Sequence, residues 1–194
     1  LRRQRQMCIR DSTYGGNTYF IKMNVSKDDN DLYSISSDGL YQIQDNDVKC
    51  VITDNIYGYC IDSKMHNLYY SRLDDTGIYM YNTDSCESVK IFEDPEGSQC
   101  FTLTYDGEYI WLDDTIYKDA AKYFNKQSQT LNYTIYQLSK DGELIARRVL
   151  DDDEKIFAIM HGDKTRMFMF SLKKDAIIYI DKSDIANGDI KEFR

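Results

Sequence analysis

The chain has 194 residues, 42% hydrophobic and 13% aromatic, with one proline and a formal net charge of −9. A chain this acidic repels the phosphates of nucleic acid, and Arg147-Arg148 is too small a basic group to make a footprint on one. No apolar run is long enough to cross a bilayer, and the length and apolar content suit one domain, not a disordered chain.

In chain order, residues 1–12 read LRRQRQMCIRDS. They are basic, without apolar periodicity and without the apolar segment of a targeting peptide. The stretch resembles the in-frame translation of a sequencing-library transposase adapter and is expected to be a non-native tail. Its four arginines and one aspartate make the rest of the chain more acidic than the whole. The native N-terminus is then missing, so localisation is unreadable. Enrichment in Asn, Lys, Ile, Tyr and Asp points to an AT-rich, bacterial source, cytoplasmic or exported.

From residue 13 onward the apolar pattern has the period of strands. Residues 18–55 give strands at 18–25, 31–36, 40–44 and 48–53, with Asp38-Gly39 as a hairpin turn. Residues 56–95 are the clearest unit. Tyr57, Tyr59 and Ile61 alternate, as do Leu68 and Tyr70, then Ile78 and Met80, then Val89 and Ile91. Turns follow at residues 63–67, 74–77 and 82–87, which are rich in Asn, Asp, Gly and Ser. Residues 96–153 repeat the unit as CFTLTY, a turn at Asp106-Gly107, EYIWLDD, an interruption, TIYQLSKDG and LIARRVL. Residues 154–194 repeat it as IFAIMHGD, RMFMFSL, AIIYIDKS and DIKEFR.

The third strand marks the repeat: Leu40-Tyr41, Ile78-Tyr79, Ile135-Tyr136 and Ile178-Tyr179. These tyrosines lie 38, 57 and 43 residues apart. Removing an insertion of roughly 18 residues leaves a period near forty with four strands per unit, which is a propeller signature. The fold expected is all-β, a β-propeller fragment of about four four-stranded antiparallel blades, with residues 13–194 as the partial propeller.

The second unit, with Tyr69-Tyr70-Ser71-Arg72, and the third, with Ile110-Trp111-Leu112-Asp113, resemble the tyrosine-tryptophan-threonine-aspartate repeat of lipoprotein-receptor propellers. From about Thr18 to Arg194 the chain resembles bacterial domains of unknown function with receptor-related, six-bladed propellers. No unit carries the full motif, since Arg72 and Ser171 stand where an acid would close it. The resemblance implies a ring of six or more blades. Four blades alone would leave an apolar face uncovered at each end and make the chain prone to aggregate.

Sites for chemistry are sparse. His66 and His161 fall in predicted turns without a partner at metal-ligand spacing. Outside the tail, Cys50, Cys60, Cys86 and Cys100 have no short pair spacing; buried thiols in strands is the simpler reading, and disulfides stay open. The acid pairs Asp28-Asp29, Asp74-Asp75 and Asp113-Asp114, and the run at residues 151–154, could take calcium, but none has calcium-loop spacing. They are expected to be solvated turn residues. No catalytic, cofactor-binding or metal residue is assigned.

The functional candidate is the interruption at residues 115–133. Residues 119–127 could make two helical turns capped by Asp119, and Tyr117, Tyr123 and Phe124 exceed what a plain turn needs. In propellers the loop between second and third strands shares a face with the connections between blades. That places the insertion beside Asn55, residues 96–99 and residues 151–155. The candidate binding face is Trp111, Tyr117, Tyr123, Phe124, Gln99 and Lys155. The function expected is a noncatalytic binding or scaffold module for a protein or glycan. The alternative is a metal-dependent propeller enzyme, lactonase- or lyase-like.

Overall fold

The alternation of branched and aromatic residues becomes sixteen strands among the described residues, in four antiparallel sheets of four. The computed structural model describes residues 12–14, 16–27, 33–62, 64, 66–114, 133–150, 156–171 and 174–193. The chain divides into two compact units, Leu1–Cys100 and Phe101–Arg194.

In the first unit, sheet one has the order β1 (Ser12–Tyr14), β2 (Asn17–Lys27), β3 (Tyr33–Gln44) and β4 (Asp47–Ile52). Its strands differ from those expected. The described part of the expected strand at 31–36 and the strand at 40–44 lie in one twelve-residue strand, Tyr33–Gln44, and β1 completes the sheet by pairing Ser12 with Tyr19. Asp38-Gly39 is therefore not a hairpin turn. It is a bulge, where the register jumps between Ile21 and Met23 of the partner strand. Gly39 has φ +119, and a Cβ there would meet the Ile52 carbonyl oxygen at 2.1 Å. The glycine serves a close backbone approach, which the dipeptide alone does not distinguish from a turn. The true tight hairpin is at Asp45 and Asn46, whose φ values of 49° and 67° suit a two-residue primed turn.

Sheet two follows the sequence closely. It has β5 (Ile56–Asp62), β6 (Asn67–Arg72), β7 (Gly77–Asn82) and β8 (Glu87–Glu93), each joined to the next by one of the expected turns. Tyr19, Ile21, Leu40 and Ile52 of sheet one meet Ile56, Tyr59, Leu68, Tyr70 and Tyr81 of sheet two in one buried cluster.

In the second unit, sheet three has β9 (Thr102–Tyr105), β10 (Tyr109–Asp113), β11 (Tyr133–Ser139) and β12 (Leu144–Leu150). Sheet four has β13 (Ile156–Gly162), β14 (Arg166–Ser171), β15 (Ala176–Asp181) and the short β16 (Lys191–Glu192), with a 3-10 turn at Lys182–Asp184. The backbone of His161 lies in β13, opposite Phe168, not in a turn. Trp111, Tyr133, Ile135 and Leu150 of sheet three pack on Ile159, Met167, Met169, Ile178 and Ile180 of sheet four.

The Ile-Tyr marker does not keep its face. In sheet two Tyr79, not Ile78, packs toward the cluster shared with the preceding sheet. In sheet four Ile178 does so instead, and Tyr179 points away. An offset of one residue exchanges the two faces of a strand, so the marker gives the period but not the facing.

Candidate functional site

Within the first unit, the connection between sheets one and two and the hairpin between the second and third strands of sheet two meet at one end. The Asn55 carbonyl accepts the Leu73 amide at 2.8 Å, and the Asn55 side chain accepts the Ser37 amide at 2.7 Å. The Tyr70 hydroxyl donates to Asp54 at 2.9 Å, and burial pushes that hydroxyl's pKa well above the ordinary tyrosine range. Arg72 stands where the resembling repeat has an acid. It makes two hydrogen bonds to Asp74, at 3.0 and 3.2 Å, and lies 3.7 Å from Asp54. Thus an arginine at the strand end recruits two nearby aspartates. Gln99 is exposed, in the connection that leaves β8.

In the second unit, the corresponding hairpin is where β10 ends and β11 begins. Asp113 and Asp114 are 1% and 0% exposed, which corrects the expectation of solvated turn acids. Each has a neutral donor at hand. The Thr102 hydroxyl donates to Asp113 across the β9–β10 pair, and the Thr134 amide donates to Asp114 at 3.0 Å. These hydrogen bonds offset part of the cost of taking the two acids out of water. The two acids stand at the end of β10, immediately before residues 115–132, which lie outside the described residues. Tyr117, Tyr123, Phe124 and Lys155 lie outside them as well.

Trp111 does not form part of a surface. It is 0% exposed in the core between sheets three and four, and its indole N–H donates to Asp106 at 2.7 Å. Asp106 also takes the Lys182 ammonium at 2.5 Å and the amides of Glu108 and Tyr109, each at 2.9 Å. Burial alone would raise this carboxyl's pKa, but Lys182, the two amides and the indole outweigh it and hold the value below the ordinary range. Gly162 makes room for the pair, since a Cβ there would meet Lys182 Nζ at 2.8 Å and Asp106 Oδ2 at 2.9 Å.

Sequence reading missed a common device here. Asp62, Asp106 and Asp163 each begin the hairpin between the first and second strands and accept amides from the following residues. An Asp at that place before the next strand is the signal that could have found them. Asp163 is held at about 2 by two hydrogen bonds from Arg166 and by the Thr165 and Arg166 amides.

The four thiols outside the tail are Cys60 and Cys100, both buried, Cys50, half-buried, and Cys86, exposed. Cys86 and Cys100 occupy positive-φ positions, so they are not strand residues as expected. Among the described residues, no three His, Cys, Asp or Glu side chains are placed to share a metal ion. On the side of sheet four away from its core, Phe168 contacts Tyr179 and Phe193, at 6.0 and 5.4 Å between centroids, with Phe193 48% exposed. Arg166 and Lys191 lie over Tyr179 at 5.4 and 5.9 Å.

Four-stranded antiparallel sheets of this kind define the β-propeller class, and the chain shares that fold with solved propeller structures. One is an acylaminoacyl peptidase of Pyrococcus horikoshii, with TM-score 0.61 and 11% identity over 97% of this chain and 32% of that one. A second is an auxiliary nutrient binding protein from Bacteroides ovatus, with TM-score 0.61 and 7% identity over 96% of this chain and 46% of that one. A third is a catalytically inactive virginiamycin B lyase from Staphylococcus aureus with quinupristin, with TM-score 0.59 and 12% identity over 100% of this chain and 72% of that one. The chain thus spans under half the length of the first two. No protein-family model and no curated protein matches the sequence. Likeness at this identity carries the fold alone.

Proposed function

We propose that the chain is a noncatalytic propeller-type binding or scaffold module for a protein or glycan, of the kind the bacterial receptor-like resemblance implies. The observation that carries this reading is a recurring extension of one hairpin. Between second and third strands, sheet one lengthens β2 and β3 to eleven and twelve residues, and sheet three inserts residues 115–132. Sheet two closes the same hairpin in four residues, 73–76. The strand ends that flank the insertion in sequence are fixed by Thr102 on Asp113 and by Thr134 on Asp114. Elaborating one repeated hairpin on a rigid base is how repeat folds place binding surfaces.

The test replaces residues 115–132 with Asn-Gly and leaves Tyr133 and Thr134 in place, because both are buried parts of β11. Capture on a protein and glycan panel is then compared with the parent chain. Loss of capture with an unchanged melting temperature is expected; unchanged capture would overturn the reading. The nutrient-binding neighbour supports it. The lyase neighbour supports the second reading, a metal-dependent propeller enzyme. Thermal melts with added calcium or zinc separate the two: stabilisation favours the enzyme.

A further inference from the structure

At the opposite end of the first unit, a cavity of about 340 Å³ opens between sheets one and two. That is at the small end of the range of roughly 300 to 1,000 Å³ for small-molecule sites. Its inner wall is Tyr19 and Tyr81, both nearly fully buried. Burial, with the neighbouring Cys86, pushes the Tyr81 hydroxyl up to about 12, so that hydroxyl is uncharged at neutral pH.

Three features of the lining point to a ligand. The Asn17 amide oxygen is buried and accepts no hydrogen bond among the described residues. A buried acceptor without a donor costs about 1–3 kcal/mol, so an O–H or N–H delivered there is rewarded. Gln42 and Lys49 are cross-strand partners and line the cavity together. Lys22, Arg72, Lys90, Arg166, Lys182 and Lys191 each hold a carboxylate. Lys49, in contrast, faces the cavity with no carboxylate partner among the described residues, in a chain of net charge −9. Across from it the His66 ring is oriented by Asp84, with Nδ1 3.0 Å from Oδ1.

We infer that this cavity binds a monosaccharide-sized polyhydroxylated acid, a sugar acid, with its carboxylate on Lys49 and Gln42 and a hydroxyl donated to Asn17. Gln42 supplies an amide donor beside the ammonium, a charge-assisted arrangement that a neutral sugar does not use. The Asp84 side of the cavity accepts further hydroxyls. The site stands on its own observations and does not depend on the partner face proposed above.

The experiment is a ¹H–¹⁵N titration of the full chain with glucuronate, and separately with glucose. Glucuronate is expected to shift the amides of Lys49, Thr83 and Asp84, with glucose weaker by about tenfold. Lys49→Met should reduce glucuronate affinity about tenfold and leave glucose unchanged, whereas Asn17→Ala should weaken both. Lys140→Met, a surface lysine of the other unit, should change neither. Absence of shifts at those amides up to about 50 mM glucuronate overturns the proposal. So does equal binding of glucose, or an equal loss in Lys140→Met. Replacing residues 115–132 leaves glucuronate binding intact, so failure of the partner face and failure of this site are separable.

Discussion

In residues 1–100 the two sheets meet largely on tyrosines, while in residues 101–194 they meet on a tryptophan and a buried ion pair. The first cluster holds Tyr19, Tyr59, Tyr70 and Tyr81, and places polar tips where oxygen acceptors wait: Tyr59 donates to the Tyr19 carbonyl at 2.6 Å. The second uses Trp111 and methionines, and adds Lys182 with Asp106, 7% and 0% exposed in their side chains. Both join a pair of four-stranded sheets. The difference teaches where pH sensitivity enters the fold. Tyrosine hydroxyls stay neutral across the physiological range, whereas a buried carboxylate must keep its charge and its partner.

The sharpest way to break that contrast is Asp106→Asn. It leaves the Lys182 ammonium buried without its counter-charge, and a loss of about 3–5 kcal/mol is expected for the second unit. Urea unfolding followed by Trp111 fluorescence reads it, since this is the chain's single tryptophan. Adding Lys182→Met should restore most of the loss; if the double variant is no better than the single one, the ion pair is not the reason. The same pair sets a pH dependence. Because the Asp106 carboxyl is held below its ordinary value, its contribution is complete above the unfolded pKa of about 3.9. It is lost as pH falls through the folded value. Acidification from about pH 6 to about pH 3 should lower the urea midpoint more in the parent than in Asp106→Asn.

A smaller effect belongs to the first unit. Gly39→Ala forces a side chain into φ +119 and against the Ile52 carbonyl, at an expected cost of about 1–3 kcal/mol, read as a fall in the thermal midpoint. A neutral result would mean that the bulge relaxes freely. Smaller still is Tyr59→Phe, which removes one buried hydroxyl donor and should cost about 0.5–1.5 kcal/mol, with no change between about pH 6 and about pH 3. A pH-dependent loss there would erase the distinction between the units.

Much of this architecture was legible in residue order. The alternation in residues 56–95 placed β5 to β8 and their turns, because each strand has its apolar residues at period two and each turn its Asn, Asp or Gly. The insertion was legible as a break in that period. Asp38-Gly39 misled because one dipeptide serves both hairpins and bulges, and only Ile52 on the neighbouring strand decides between them. Trp111 looked like a surface aromatic beside an insertion. The partners that bury it, Met167 and Ile178, lie more than fifty residues away. The cavity at Lys49 gave no sequence signal, since Asn17, Lys49 and Asp84 meet only through strand register.

By itself, then, the sequence determined the strand period, the four-stranded repeat and the place where the repeat is interrupted. All of these follow from the local geometry of a pleated chain. Which face of each strand is buried, which acids keep their water and where a cavity opens were decided only by tertiary packing. The reason is that a one-residue change of register exchanges the two faces of a strand, and nothing within the strand specifies the sheet it will meet.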